Sequence, residues 1–287
     1  MDRRGEIRRS FRRLVGSKEP GDLDIRVREA MAPSVVVVRP DDTMRSAARA
    51  MAEPGVGSAM VEPVEPGDGP GIVTARDILE LVAAGGDPGT AQVGDNASAE
   101  ARTVAPDASI ESAAEAMASG GFRHLLVRHG DETVGIISMR DVLGCWVREG
   151  ATPNTIIPIR EAMRGDLATL DSHRTLLDAA RPMADEGLSA VLVEASGHRS
   201  YPGIVTEREV ASCVAGGDDP AAERLEDRLA SRMTFSAPEW SLRQAAEAMI
   251  KGGFQDVVVV EPRGPIGILA MRDIVRSWLE QTSESGS

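Results

Sequence analysis

Aromatic residues make up only 3% of this 287-residue chain. Its core must therefore come from Ala, Val, Leu, Ile and Met, which a hydrophobic fraction of 42% allows. Cysteine is as scarce: Cys145 and Cys213 stand alone with no CxxC spacing, which excludes a disulfide framework or a zinc ribbon and fits a reducing compartment. The four histidines show no HExxH pair or other metal-ligand spacing, and no serine sits in a GxSxG elbow. No catalytic set is recognisable, and the reading is of a protein that is not an enzyme. Long apolar runs are missing too. The greasiest stretches, VVVV at 35–38 and 257–260, have strand length, so neither a transmembrane helix nor a secretory leader is expected and the protein reads as cytoplasmic.

The charge is lopsided. The chain carries −13, yet residues 1–18 hold six arginines and one lysine against two acids. An acidic body argues against general nucleic-acid binding. In the basic tail, Ile7, Phe11, Leu14 and Val15 share one helical face, the pattern of a helix that docks on the acidic body, a partner, an anionic membrane surface or RNA; the alternative is a flexible terminus that contacts nothing.

Repetition dominates the rest. GIVTARD at 71–77 recurs as GIISMRD at 135–141, GIVTERE at 203–209 and GILAMRD at 267–273. The motif acids Asp77, Asp141, Glu209 and Asp273 are spaced by 64, 68 and 64 residues. Sliding the chain by 132 lays Met31 on Met163, Pro106 on Pro238, Met117 on Met249 and GGF at 120–122 on GGF at 252–254. The architecture is A-B-A′-B′, two copies of a two-repeat module. A first pair spans 23–148, with repeats at about 25–84 and 91–148. A linker covers 149–158, and a second pair spans 159–280, with repeats at about 159–216 and 225–280. Tails cover 1–22 and 281–287.

Each repeat reads as strand, helix, strand, strand, helix, an α/β (α+β) unit. In the second, residues 109–121 predict a helix capped by Ser109, with Ile110, Ala113, Ala114 and Met117 on one face and glycine at its end. A unit of roughly 55 residues is marginal alone, so the repeats of a pair should pack together.

The heptapeptide has two physical readings. A glycine opening a strand permits close chain approach, and a hydroxyl followed three residues later by an acid is a capping box. The same corner also suits a nucleotide. Free amides and the helix dipole favour phosphate, Thr74, Ser138 and Thr206 offer hydroxyls, Arg76 and Arg140 offer charged forks, and a first-turn carboxylate can accept ribose hydroxyls.

Taken together, VREAM and IREAM, VAPDASIESAAEAM, FRHLLVR and the four heptapeptides resemble the CBS (cystathionine-β-synthase) domain family. The resemblance covers about residues 25–280. It implies two Bateman modules, each with two clefts, regulated by AMP, ADP, ATP or S-adenosylmethionine, with no cofactor required. Carried over, the ribose acids are Asp77, Asp141, Glu209 and Asp273, and the phosphate hydroxyls are Thr74, Ser138 and Thr206. Ala270 leaves the fourth cleft without a hydroxyl. The base is expected near Val36, Val104, Leu170 and Phe235. The resemblance thus implies a stand-alone sensor that shifts its module arrangement and signals to a protein partner. It also implies module pairing within one chain or in a homodimer. The alternatives are a ligand-free scaffold and a divalent-metal or metal-nucleotide sensor.

Overall fold

The computed structural model describes residues 24–53, 55–65, 68–150, 157–195 and 202–284. The basic tail at 1–22, most of the linker and residues 285–287 lie outside the described residues.

The first repeat contributes β1 (Val37–Val38), α2 (Met44–Ala52), β2 (Ser58–Val61), β3 (Gly71–Thr74) and α3 (Ala75–Ala83), preceded by the short α1 (Val27–Ala30). A short α4 (Val93–Asn96) leads into β4 (Thr103–Val104), α5 (Ile110–Gly120), β5 (His124–His129), β6 (Glu132–Ser138) and α6 (Met139–Glu149). The second half repeats the order: β7 (Thr169–Leu170), α7 (Leu176–Asp185), β8 (Ala190–Val193), β9 (Gly203–Thr206), α8 (Glu207–Gly216), then β10 (Thr234–Ser236), α9 (Leu242–Gly252), β11 (Asp256–Glu261), β12 (Gly264–Ala270) and α10 (Met271–Glu284). The last helix runs into the segment read from sequence as a tail.

Every repeat builds a three-stranded sheet in which the first strand pairs parallel to the second and the second antiparallel to the third. The parallel pair needs a crossover, and the intervening helix supplies it. The α5 helix follows its pattern: Ile110, Ala113, Ala114 and Met117 are fully buried, and the Ser109 hydroxyl accepts from the Ser112 amide at 3.1 Å. Its GGF end has a simple cause. Gly121 takes the left-handed conformation that closes the helix, and a side chain on Gly120 would strike the folded-back Phe122 ring at 2.2 Å.

The repeats exchange their leading segments. Residues 26–32 pair with the second repeat, through bridges Arg26 to Ser109 and Ala32 to Ile136, and Val27 is buried there. Residues 92–98 pair back with the first repeat, and Val93 is buried there. Ile159 and Leu225 repeat the exchange in the second module.

Two main cores result. One joins helices of the second and fourth repeats, and the other those of the first and third. The modules therefore meet within one chain, repeat against repeat. Cys145 and Cys213 are buried in these cores, where desolvation pushes both thiols up, Cys213 to about 11. Packing explains both cysteines.

Candidate functional site: three clefts around Arg123 and His124

The four heptapeptides adopt one geometry. The hydroxyl residue ends a strand with extended backbone and caps the next helix, and the acid reaches back. Thr74 donates its amide to Asp77 Oδ2 at 2.6 Å and its hydroxyl to the same atom at 2.8 Å. Ser138 does the same to Asp141 Oδ2 at 2.8 and 2.6 Å. Glu209 takes both groups of Thr206. Asp273 receives only the Ala270 amide, at 2.9 Å. In both boxes Oδ2 takes the two bonds, which leaves Oδ1 of Asp77 and of Asp141 outside the box. Burial raises Asp77 and Glu209 above the usual carboxylate range, with the threonine hydroxyl and amide pulling the other way.

Three of these corners place both the hydroxyl and the acid on a cavity wall, and of the fourth Ala270, Met271 and Arg272 reach the cavity of Asp141. Ser138 and Asp141 line one of about 260 Å³, together with Ala32, Ser34, Val35 and Val36. It thus joins the second repeat's acid to the segment that leads into β1 of the first. Thr74 and Asp77 line a cavity of about 370 Å³ walled by Arg102 and Phe122, the guanidinium lying 5.9 Å from the ring centre. Thr206 and Glu209 line the third, about 390 Å³. These volumes sit near the lower end of small-molecule sites. Asp273, Val104, Leu170 and Phe235 line none of the three; Val104 and Leu170 pack against the two main cores and Phe235 against a small cluster around Val258.

Arg123 and His124 line all three cavities. His124 opens β5 and Arg123 immediately precedes it, and the equivalent turns into the other strands bring Gly57, Ser189, Gln255 and Asp256 to the same centre. Desolvation, with the Arg123 charge second, pushes the His124 imidazole down to about 4. Burial pushes the Asp256 carboxyl up to about 6, although Ser189 donates to it at 2.6 Å. The centre thus holds a neutral histidine beside arginine.

The heptapeptide arginines Arg76 and Arg140 line cavities, but their guanidinium forks are held by groups of the opposite module. Arg76 donates to the Leu188 and Ala184 carbonyls at 3.0 and 3.2 Å and to Glu207 at 3.1 Å. Arg140 donates to the Met249 and Phe254 carbonyls at 3.4 and 3.2 Å. Each guanidinium closes the C-terminal end of a helix in the opposite module, where the dipole favours a cation. Glu207 was not singled out from sequence. The signal was available: it is the one charged residue at a heptapeptide position held elsewhere by Ala75, Met139 and Met271.

Among the described residues no helix is long and apolar enough to cross a membrane, and no three His, Cys, Asp or Glu side chains gather as a metal site.

Comparison places this architecture among known proteins. The CBS domain-containing protein YhcV of Bacillus subtilis is 33% identical over 116 residues, covering 40% of this chain and 81% of its own. Protein MJ1225 of Methanocaldococcus jannaschii is 22% identical over 188 residues, covering 61% of this chain and 66% of its own. Its crystal structure superposes with a TM-score of 0.73 at 19% identity over 88% of this chain and all of that one, a likeness of fold. The family model of the CBS domain matches residues 27–84, 97–147, 159–216 and 233–280. The chain belongs to the CBS domain family, with four repeats arranged as two Bateman-like modules.

Proposed function

We propose that this protein is a regulatory sensor that binds adenine nucleotides (AMP, ADP or ATP) or S-adenosylmethionine in the clefts between its repeats. Binding shifts the balance of module arrangements, and a partner protein reads the shift. The observation that carries this reading is the convergence of three cavities, each with a hydroxyl–acid pair at a helix start, on Arg123 and His124. Family membership supports the same reading.

In the cleft of Ser138 and Asp141, Asp141 Oδ1 accepts from the ribose, the Ser138 hydroxyl and first-turn amides of α6 meet phosphate, and the base lies along Ser34, Val35 and Val36. Thr74 with Asp77, and Thr206 with Glu209, act likewise in their clefts. Arg76 and Arg140 stand at the cleft walls, where a ligand phosphate competes with their present partners. The fourth cleft serves structure. Ala270 offers no hydroxyl, and Arg272 lies 3.8 Å from Asp273. Arg164 there takes the position of Ala32, which lines the cleft of Asp141.

Signalling requires the ligand to bind one arrangement better than another. Residues from both modules line the cavity of Asp141, including Arg208 and Gln255, so the chain has the means. Calorimetric titration with the four ligands tests the reading, alongside Asp77→Ala and Asp141→Ala. Saturable binding that each substitution weakens is expected. Binding unchanged in both variants, or none by folded wild-type protein at millimolar ligand, refutes it.

A further inference from the structure

Glu207 is the first residue of α8, and its side chain is only 8% exposed. A carboxylate this buried needs partners, and it has two. Its Oε1 accepts from Arg76 at 3.1 Å and its Oε2 from Arg123. Arg76 belongs to the first repeat, Arg123 to the second and Glu207 to the third. One carboxylate therefore ties three repeats together across the seam between modules.

The same three side chains line the clefts. Arg76 and Arg123 face the cavity of Thr74 and Asp77, Arg123 and Glu207 face that of Thr206 and Glu209, and Arg123 also reaches the cavity of Asp141. Guanidinium forks bind carboxylate and phosphate with the same planar geometry. A phosphate entering either cleft thus meets arginines that already hold an anion, and it meets that anion's charge. The other repeats place Ala75, Met139 or Met271 at this position, none of which competes for a guanidinium.

We propose that Glu207 is a specificity-determining residue of these clefts, a resident anion with which ligand phosphate competes for Arg76 and Arg123. The proposal rests on the nucleotide reading above and deepens it. Three consequences follow from the geometry. Affinity for phosphate-bearing ligands is held down, while affinity for an uncharged nucleoside is untouched. Displacing Glu207 loosens the contact with Arg76, so phosphate capture acts directly on the seam between modules. Because two clefts share the carboxylate, a phosphate that takes Arg123 in one changes what a second phosphate meets in the other.

The test compares wild type with Glu207→Gln, which keeps shape and removes charge, using adenosine, AMP, ADP and inorganic pyrophosphate in calorimetry. Circular dichroism and melting without ligand confirm that both proteins fold. A charge-assisted contact released to the ligand is expected to tighten AMP and ADP by about tenfold or more, with adenosine changed less than about twofold. Glu207→Asp, which retains the charge, should stay near wild type. Equal change for adenosine and AMP would make Glu207 a structural residue and overturn the proposal, as would no change for any ligand. If nucleotides bind neither protein yet pyrophosphate binds the variant more tightly, Glu207 keeps its role and the nucleotide reading falls. If no ligand binds either protein, both fall.

Discussion

The indole rings of Trp146 and Trp278 lie 5.4 Å apart, tilted by 44°, at the seam between the second and fourth repeats. Both residues follow their motif acid by five positions, and both are buried. The internal repeat thus makes a pseudo-symmetric contact with itself, in a chain otherwise poor in aromatic rings. Ring pairs at this spacing add about 0.5–1.5 kcal/mol beyond their burial.

The first prediction concerns that seam. Trp146→Ala and Trp278→Ala should each cost about 3–5 kcal/mol, because a large buried side chain is lost and a cavity left. Denaturant unfolding of the two single variants and the double variant measures this. The double variant should lose less than the sum, since the ring contact is counted twice. Full additivity would mean that the rings do not interact.

A second prediction separates the glycines from the ligand. A Cβ on Gly135 would lie 2.6 Å from the Ala32 carbonyl oxygen, and one on Gly267 would lie 2.7 Å from that of Arg164. Those carbonyls belong to the exchanged leading segments, which bridge to β6 and β12. Gly135→Ala should therefore destabilise by about 1–3 kcal/mol through overpacking. Gly267→Ala, whose displaced carbonyl belongs to Arg164, a residue that lines none of the three cavities, should leave ligand affinity of the folded fraction within about twofold in the same titration. A large affinity loss with normal stability would assign the glycine to the ligand instead.

Much of this was legible from the chain because it is written four times. The 132-residue offset exposed the modules, and the spacing of Ile110, Ala113, Ala114 and Met117 exposed a core face. Capping boxes were legible for the same local reason. Long-range exchanges left no such trace. Val27 looks like an early apolar residue of its own repeat, yet it is buried in the next. Arg76 and Arg140 looked free to meet a ligand, because a sequence does not show which carbonyls lie beyond the opposite module's helix ends. The pairing of modules within one chain was equally hidden, since either pairing would bury the same residues.

The fourth cleft gives a third prediction. Asp273 is buried, which raises its carboxyl, while the Ala270 amide and the charges of Arg272, Arg276 and Arg164 pull it down. Ala270→Ser completes the capping box and should stabilise the protein by about 1 kcal/mol. Binding stoichiometry should nonetheless stay as in wild type, because Arg164 and Arg272 still stand about the acid. An extra equivalent of bound nucleotide in Ala270→Ser would show that the missing hydroxyl alone silences the cleft.

The last prediction uses His124 and Asp256, equivalent residues whose titrations oppose each other. His124 falls from 6.5 unfolded to about 4 folded, so between those values the unfolded chain holds the extra proton and stability drops as pH falls. Asp256 rises from 3.8 unfolded to about 6 folded, so in that window the folded protein holds the extra proton and stability grows as pH falls. Each contributes a slope of about 1.4 kcal/mol per pH unit, of opposite sign, and between about pH 4 and 6 the two offset. Asp256→Asn removes one side of the balance. Relative to wild type, it should gain stability at pH 7, where the buried carboxylate is charged, and lose that gain steadily on acidification to pH 4. His124→Gln should do the reverse, matching wild type at pH 7 and gaining on it as pH falls. Urea unfolding at half-unit pH steps reads both slopes. Parallel curves for all three proteins would mean that neither group changes its proton affinity on folding, and that the centre of the clefts is wetter than its packing implies.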